Sequence, residues 1–330
     1  DIQVTEMLFE DFEDDTYGFV PDVRGGAEIS YDNVSNNPLY GHAVKMDLTN
    51  STLGDKQYNM NSKDAYVRNN DGANLYSEVS FDITPALNNL RPMYVYLKNA
   101  AANKNLLTLK WQFGKFIVIK DGAECEVGTY QDGQMINVRV ILQFTDSDGA
   151  TVDKVNGIYV NDALISGDIY PFNFENQGTG KFDQISTLIA KRAEGQALSV
   201  TFDNVRIVKY QSPDGSSPMA ENRNSLAASI GTLYSFIKTN DAYIDEADKT
   251  ELNTVLDDAV SLCKSSYATT ADVENMIQTV TDTIQNCHVV IPKYQTVLFE
   301  NFDGDLSYKE ETGGNVLPGL IDTYLDEAMY

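Results

Sequence analysis

The 330-residue chain is poor in the residues that carry most enzyme chemistry. It holds three cysteines, two histidines and one tryptophan. Three cysteines, Cys125, Cys263 and Cys287, cannot build a multi-bridge framework. Cys263 and Cys287 fall near the C-terminal ends of two successive amphipathic segments, which antiparallel helices hold apart. A bridge needs Cα atoms within about 7 Å, so three free thiols are expected. Neither His42 nor His288 has a metal-ligand partner at useful spacing. His42 opens a strand-like run, and His288 follows a helical one. There is no Gly-X-Ser-X-Gly elbow, phosphate-binding loop or dinucleotide fingerprint. No apolar run approaches the roughly 18 residues of a membrane-spanning helix. Bases are scarce as well: 24 stand against 49 acids, a formal charge of -25. That balance disfavours nucleic acid and anionic membranes as partners and leaves carboxylates for hard cations such as calcium.

What the chain does have is an echo. Leu8–Asp14 reads Leu-Phe-Glu-Asp-Phe-Glu-Asp, and Leu298–Gly304 reads Leu-Phe-Glu-Asn-Phe-Asp-Gly, 290 positions later. The second copy is followed only by residues up to 330, fewer than the roughly 40 an autonomous domain needs. Residues 291–330 therefore read as the start of a second β module or as an exchanged strand. In the latter case the apolar Leu298, Phe299 and Phe302 would drive head-to-tail self-association. An opening at Asp1 suggests a processed or excised chain.

Residues 1–212 carry short alternating apolar runs separated by Asp-Gly pairs at 71–72, 121–122, 132–133 and 148–149. Asp-Gly favours tight hairpins, and many such strands without helical periods predict an antiparallel sandwich. Leu107, Leu109, Trp111 and Phe113 fall on one alternating face, so Trp111 is expected in the core. Residues 213–218 form a linker of Ser, Pro, Asp and Gly. Between 219 and 290 the period becomes helical. Leu226, Ile230, Leu233 and Ile237 begin a series that predicts three helices near 219–238, 245–265 and 271–287, packed as a bundle. Thr269 or Thr270 would cap the third.

Three motifs resemble the concanavalin A-like (LamG-like) jelly-roll modules and related carbohydrate-binding modules. The opening Leu8-Phe9-Glu10-Asp11-Phe12-Glu13 is similar to their first strand. Gly157-Ile-Tyr-Val-Asn161-Asp-Ala-Leu-Ile165 is similar to their Tyr-Val-Asn/Asp-Gly hairpin, although Asp162 stands where Gly is usual. Thr201-Phe-Asp-Asn-Val-Arg-Ile-Val-Lys-Tyr210 is similar to their closing strand. The resemblance implies a jelly-roll fold and a structural calcium held between first and last strands, at Glu13 and Asp203. Calcium takes six to eight oxygens, more than two side chains supply.

Sugar recognition uses flat aromatic rings with polar groups around them. Tyr94 and Tyr96 point away from Met93, Val95 and Leu97. Lys110 and Gln112 oppose the Trp111 face, Arg139 and Gln143 oppose Val138, Val140, Leu142 and Phe144, and Tyr76 and Glu78 oppose Val79 and Phe81. If these strands share a sheet, those eight residues form one tyrosine-rich face suited to a polysaccharide; the alternative is an ordinary solvated sheet. The paired carboxylates of jelly-roll glucanases, Glu-X-Asp-X-X-Glu, are absent. The expected protein is thus a non-catalytic, extracellular or cell-surface glycan-binding module. The alternative is a structural or adhesive surface protein assembled by strand pairing.

Overall fold

The computed structural model describes residues 2–290 apart from 15, 34–36, 86–91, 132, 192 and 195–197. The echo at Leu298–Gly304, with any exchanged strand or second module, lies outside the described residues.

The chain opens with β1 (Gln3–Glu10), β2 (Val20–Arg24), β3 (Glu28–Asn33), β4 (His42–Asp47), β5 (Gly54–Asn61) and the short β6 (Val67–Arg68). Next come β7 (Leu75–Thr84), β8 (Met93–Asn99), β9 (Lys104–Gln112), β10 (Lys115–Lys120) and β11 (Ala123–Thr129). The strands close with β12 (Ile136–Thr145), β13 (Thr151–Val160), β14 (Ala163–Leu164), β15 (Phe172–Asn173), β16 (Lys181–Phe182), β17 (Gln184–Lys191) and β18 (Ser199–Gln211). Three helices follow: α1 (Arg223–Asn240), α2 (Glu246–Lys264) and α3 (Thr270–Asn286).

Two antiparallel sheets face each other. The first runs β14-β13-β12-β7-β18-β4-β3, with β1 also on β18 and β15 on β13. The second runs β11-β10-β9-β8-β17-β5-β2. Hairpin chemistry fixes much of this order. Asp121-Gly122 joins β10 to β11 with both residues at positive φ, 52° and 78°, the tight-turn geometry that Asp-Gly favours. At Asp146–Gly149, between β12 and β13, the Asp146 carboxylate accepts from the Asp148 and Ala150 amides. Asp71-Gly72 behaves differently, because it leads from the β6–β16 ribbon into β7 instead of closing a hairpin.

The apolar face of each strand meets its counterpart across the sandwich. Met93, Val95, Leu97, Leu107, Leu109 and Trp111 are fully buried. Trp111 lies parallel to Phe116, ring centroids 4.8 Å apart. Each such side chain contributes about 1.5–3 kcal/mol by leaving water.

β18 joins the ends of the fold. One edge pairs with β7, and the other pairs first with β4 and then with β1. Its ladder slips between Asp203 and Arg206, where the neighbour changes, and Asn204 takes φ 46°. A bulge there bends the strand and re-aims its side chains.

The helices pack against the outer face of the first sheet. Leu226, Ile230, Leu233, Leu252, Leu256, Val273 and Val280 form their shared core, which also takes in Leu39 from the sandwich. Thr269 caps α3, its hydroxyl accepting from the Asp272 amide while Asp272 accepts from Thr269, as a capping box does. Cys125, Cys263 and Cys287 are free thiols.

Candidate functional site

The eight residues expected on one sheet divide between two. Tyr76 and Glu78 lie on β7, and Arg139 and Gln143 on β12, in the first sheet. Tyr94 and Tyr96 lie on β8, and Lys110 and Gln112 on β9, in the second.

Three members of the first group are covered, which corrects the expectation of an open face. Tyr76 stacks on Tyr210 with centroids 5.2 Å apart, and Met219 packs over the pair. Glu78 is wholly buried, paired with Arg139 Nη1 at 3.1 Å and accepting from the Ser217 hydroxyl. The Arg139 guanidinium lies 4.0 Å from the centre of the Tyr159 ring. Only Gln143 keeps partial exposure, held by Asn156 Nδ2 at 3.1 Å. The segment after β18 folds back over these side chains and closes the face.

The same layer anchors the helices by their ends. Asp162 accepts from the Asn224 and Ser225 amides at 3.2 and 3.1 Å, placing a carboxylate on the N-terminus of α1. Asn161 and Asp162 both sit at positive φ, 49° and 69°, in the turn where the resembling modules carry Gly. The anchoring role gives Asp162 its reason to stand there despite the strain. At the other pole, Arg206 donates to the carbonyls of Cys263 and Lys264, and Arg223 Nη1 donates to those of Cys263 and Ser265 at 2.6 Å. Two guanidinium groups thus meet the negative C-terminus of α2. Lys264 adds an ion pair with Asp11 at 2.8 Å.

The expected calcium ligands lie nearby. Both Glu13 oxygens are engaged by His42, from its amide at 2.9 Å and at its ring Nδ1 at 3.1 Å. Asp203 accepts from the Asn204 amide through Oδ1, and its Oδ2 is buried without a partner. Asp82, opposite it in the ladder, already accepts from Asn137 and Asn204. Among the described residues no group of three or more His, Cys, Asp or Glu is placed to hold a metal ion. Glu13 and Asp203 together leave one carboxylate oxygen without a protein partner, whereas calcium takes six to eight. A proton suits the arrangement better. Burial and the Asp82 charge push Asp203 up to about 9, and burial pushes Asp82 up to about 6.

The second sheet presents a different outer face. Cross-strand register places Asp22, Asn59, Ser186, Tyr96 and Thr108 in one row across β2, β5, β17, β8 and β9. A parallel row holds Arg24, Gln57, Leu188, Tyr94 and Lys110. Side chains link up across the strands: Ser186 Oγ donates to Asn59 Oδ1 at 2.5 Å, Asn59 Nδ2 to Asp22 at 3.3 Å, and Gln184 Nε2 to Asn61 Oδ1 at 2.5 Å. Beside the rows lies an open depression of about 360 Å³, lined by Arg24, Gln57, Asn59, Lys98, Ala100, Asn103, Gln184 and Ser186. Tyr96 lies opposite the lining Ser186 in the ladder and stacks nearly parallel on Tyr94, centroids 5.5 Å apart, both rings half-exposed. Lys110 is nearly buried and paired with Glu124 at 2.5 Å, while Gln112 sits at the far end of β9 opposite Lys115.

None of the residues lining the depression is among those expected from sequence. A signal for them existed in β5, where Gln57, Asn59 and Asn61 alternate with Tyr58 and Met60. Asparagine is depleted in strands, so a row of amides there marks a constrained surface.

No protein-family profile and no curated protein matches this chain. Among solved structures it resembles a sialidase (TM-score 0.40, 11% identity), the match covering 68% of this chain and 19% of that one. It also resembles the cellulose induced protein Cip1 (TM-score 0.38, 13% identity), covering 61% of this chain and 96% of that one. A third is the botulinum neurotoxin serotype C1 binding domain (TM-score 0.39, 13% identity), with 61% and 48% covered.

Proposed function

We propose that the protein binds carbohydrate on the outer face of its second sheet, as a non-catalytic module of a secreted or surface protein. The observation that carries this reading is the open depression of about 360 Å³, lined by four carboxamides and a serine, on the same sheet face as the Tyr94–Tyr96 stack, with Tyr96 opposite the lining Ser186. Amides donate and accept at once, matching hydroxyls that do the same, while ring faces receive the C–H faces of a pyranose. Asn59, Gln184 and Ser186 are held by bonds to their neighbours, so little side-chain entropy is lost when a ligand docks. The facing acids Asp82 and Asp203 lie beneath the helices, out of reach of a substrate. That location favours binding over hydrolysis.

Affinity electrophoresis in gels containing neutral and acidic polysaccharides tests the proposal. The parent chain should be retarded by at least one polymer. Tyr94→Ala/Tyr96→Ala should lose most of that retardation, by about tenfold in affinity. Equal retardation of the double variant would remove the tyrosines from the site.

A further inference from the structure

The charge of the depression runs against the charge of the molecule. The chain carries 49 acids and 24 bases, yet the described residues lining the depression include Arg24 and Lys98 and no carboxylate. The two cations project from β2 and β8, strands separated by β5 and β17. Their rows also differ by four residues, Arg24 lying in line with Tyr94, so three strand spacings across and four residues along put their backbones about 20 Å apart, a span that two long side chains narrow from either end.

Each cation has only part of its charge answered by protein. Asp22 Oδ2 engages Arg24 along one edge, Nε at 2.7 Å and Nη2 at 2.6 Å, and 64% of the Arg24 side chain remains exposed. The Lys98 ammonium donates to the neutral Asn103 Oδ1 at 3.2 Å. Asp183, whose negative charge acts on Lys98, is bound by Lys181 at 2.7 Å and by the Ala100 amide at 2.8 Å. Burial and the Arg24 charge lower the Lys98 pKa, against the opposing pull of Asp183. Positive charge is therefore crowded here, and an incoming anion would relieve it.

We propose that the glycan bound at this face is acidic, with a carboxylate or sulfate substituent seated between Arg24 and Lys98 while its hydroxyls meet Asn59, Gln184 and Ser186. This rests on the carbohydrate-binding reading above. Arginine matches the planar, multi-oxygen edge of either anion, and lysine adds a point charge. An acidic protein that binds an acidic polymer needs such a local exception, because the rest of its surface repels the ligand.

The test compares the full chain with Arg24→Gln/Lys98→Gln on four probes. These are homogalacturonan, its fully methyl-esterified form, a sulfated galactan and the same galactan desulfated. The parent should bind one of the charged polymers at least about tenfold more tightly than its uncharged form. Which charged polymer wins tells carboxylate from sulfate. The double variant should lose that preference, and raising salt from roughly 50 to 500 mM should weaken the parent several-fold by screening. An unchanged urea midpoint confirms that the variant is folded. If the uncharged forms bind as well as the charged ones, or if the variant keeps the preference, the acidic-ligand inference falls and carbohydrate binding stands. If no polymer binds, both fall.

Discussion

The outer faces of the two sheets are written in the same alternating pattern and end in opposite environments. On β7 and β12, Tyr76, Glu78 and Arg139 are sealed under the segment that follows β18. On β8, Tyr94 and Tyr96 remain half-exposed beside an open depression. The local chemistry of the two faces hardly differs. Each offers tyrosines and charged residues at every second position. What separates them is a covering layer, and the covered face uses its charges to grip helix ends. Sheet polarity alone therefore says that a face is not core; whether it meets water or another layer is settled elsewhere in the chain.

The sharpest way to break the comparison is to disarm the covered face. Arg206→Ala should cost about 3 kcal/mol, because it removes a donor from the Cys263 and Lys264 carbonyls and the buried positive charge near Asp82. Urea unfolding followed through the helical signal measures this. A variant as stable as the parent would show that the bundle does not lean on that arginine.

Next, taken per pH unit, is a pH effect. Asp203 and Asp82 have native pKa values raised above the unfolded carboxylate range, so the native state holds protons that the unfolded state releases. Their contribution to stability is greatest below about pH 4 and is lost as pH rises toward 9, with a slope up to about 1.4 kcal/mol per pH unit for each group. Asp203→Asn should flatten that decline and be at least as stable as the parent above neutrality. EDTA should leave the melting temperature of the parent unchanged. A fall on chelation would return a bound cation to this position.

A smaller loss, about 1 kcal/mol, is expected for Asp162→Ala, which removes the cap on α1 and keeps a non-glycine residue at φ 69°. Asp162→Gly separates the two effects, since glycine relaxes the turn but still lacks the carboxylate. The smallest effect belongs to the open face. Tyr94→Ala/Tyr96→Ala should change stability by less than about 1 kcal/mol per site while weakening glycan retention. A large stability loss there would mean that the open face is also structural.

Much of the architecture could be read from periodicity. The strand faces of Met93, Val95, Leu97 and Trp111, the three helices and the Thr269 cap all follow from local patterns that the fold keeps. The site was harder to read for two physical reasons. Alternation assigns a residue to one of two faces without naming its sheet, so Tyr76 and Tyr94 looked like neighbours. Nor does it register a cover arriving from residues 212–225, which is why Glu78 and Arg139 passed for surface. Arg24, Lys98 and Gln184 come from strands far apart in sequence, and only the β2-β5-β17-β8 order gathers them. In the sequence Asp162 is a departure from a Gly-bearing turn, and the α1 amides above it supply its reason.

The pairing of β1 with β18 sets how the sandwich carries load. Gln3 lies opposite Gln211, so the two ends of this ladder leave side by side. Traction applied at those two points does not shear the strands along their length. It opens the ladder from one end, one rung at a time, because antiparallel bonds lie across the strand direction and meet the force singly. A sandwich pulled at these two points is a soft link. Under tension β1 would peel away first, baring the edge of β18 while the β7 side of that strand stayed paired.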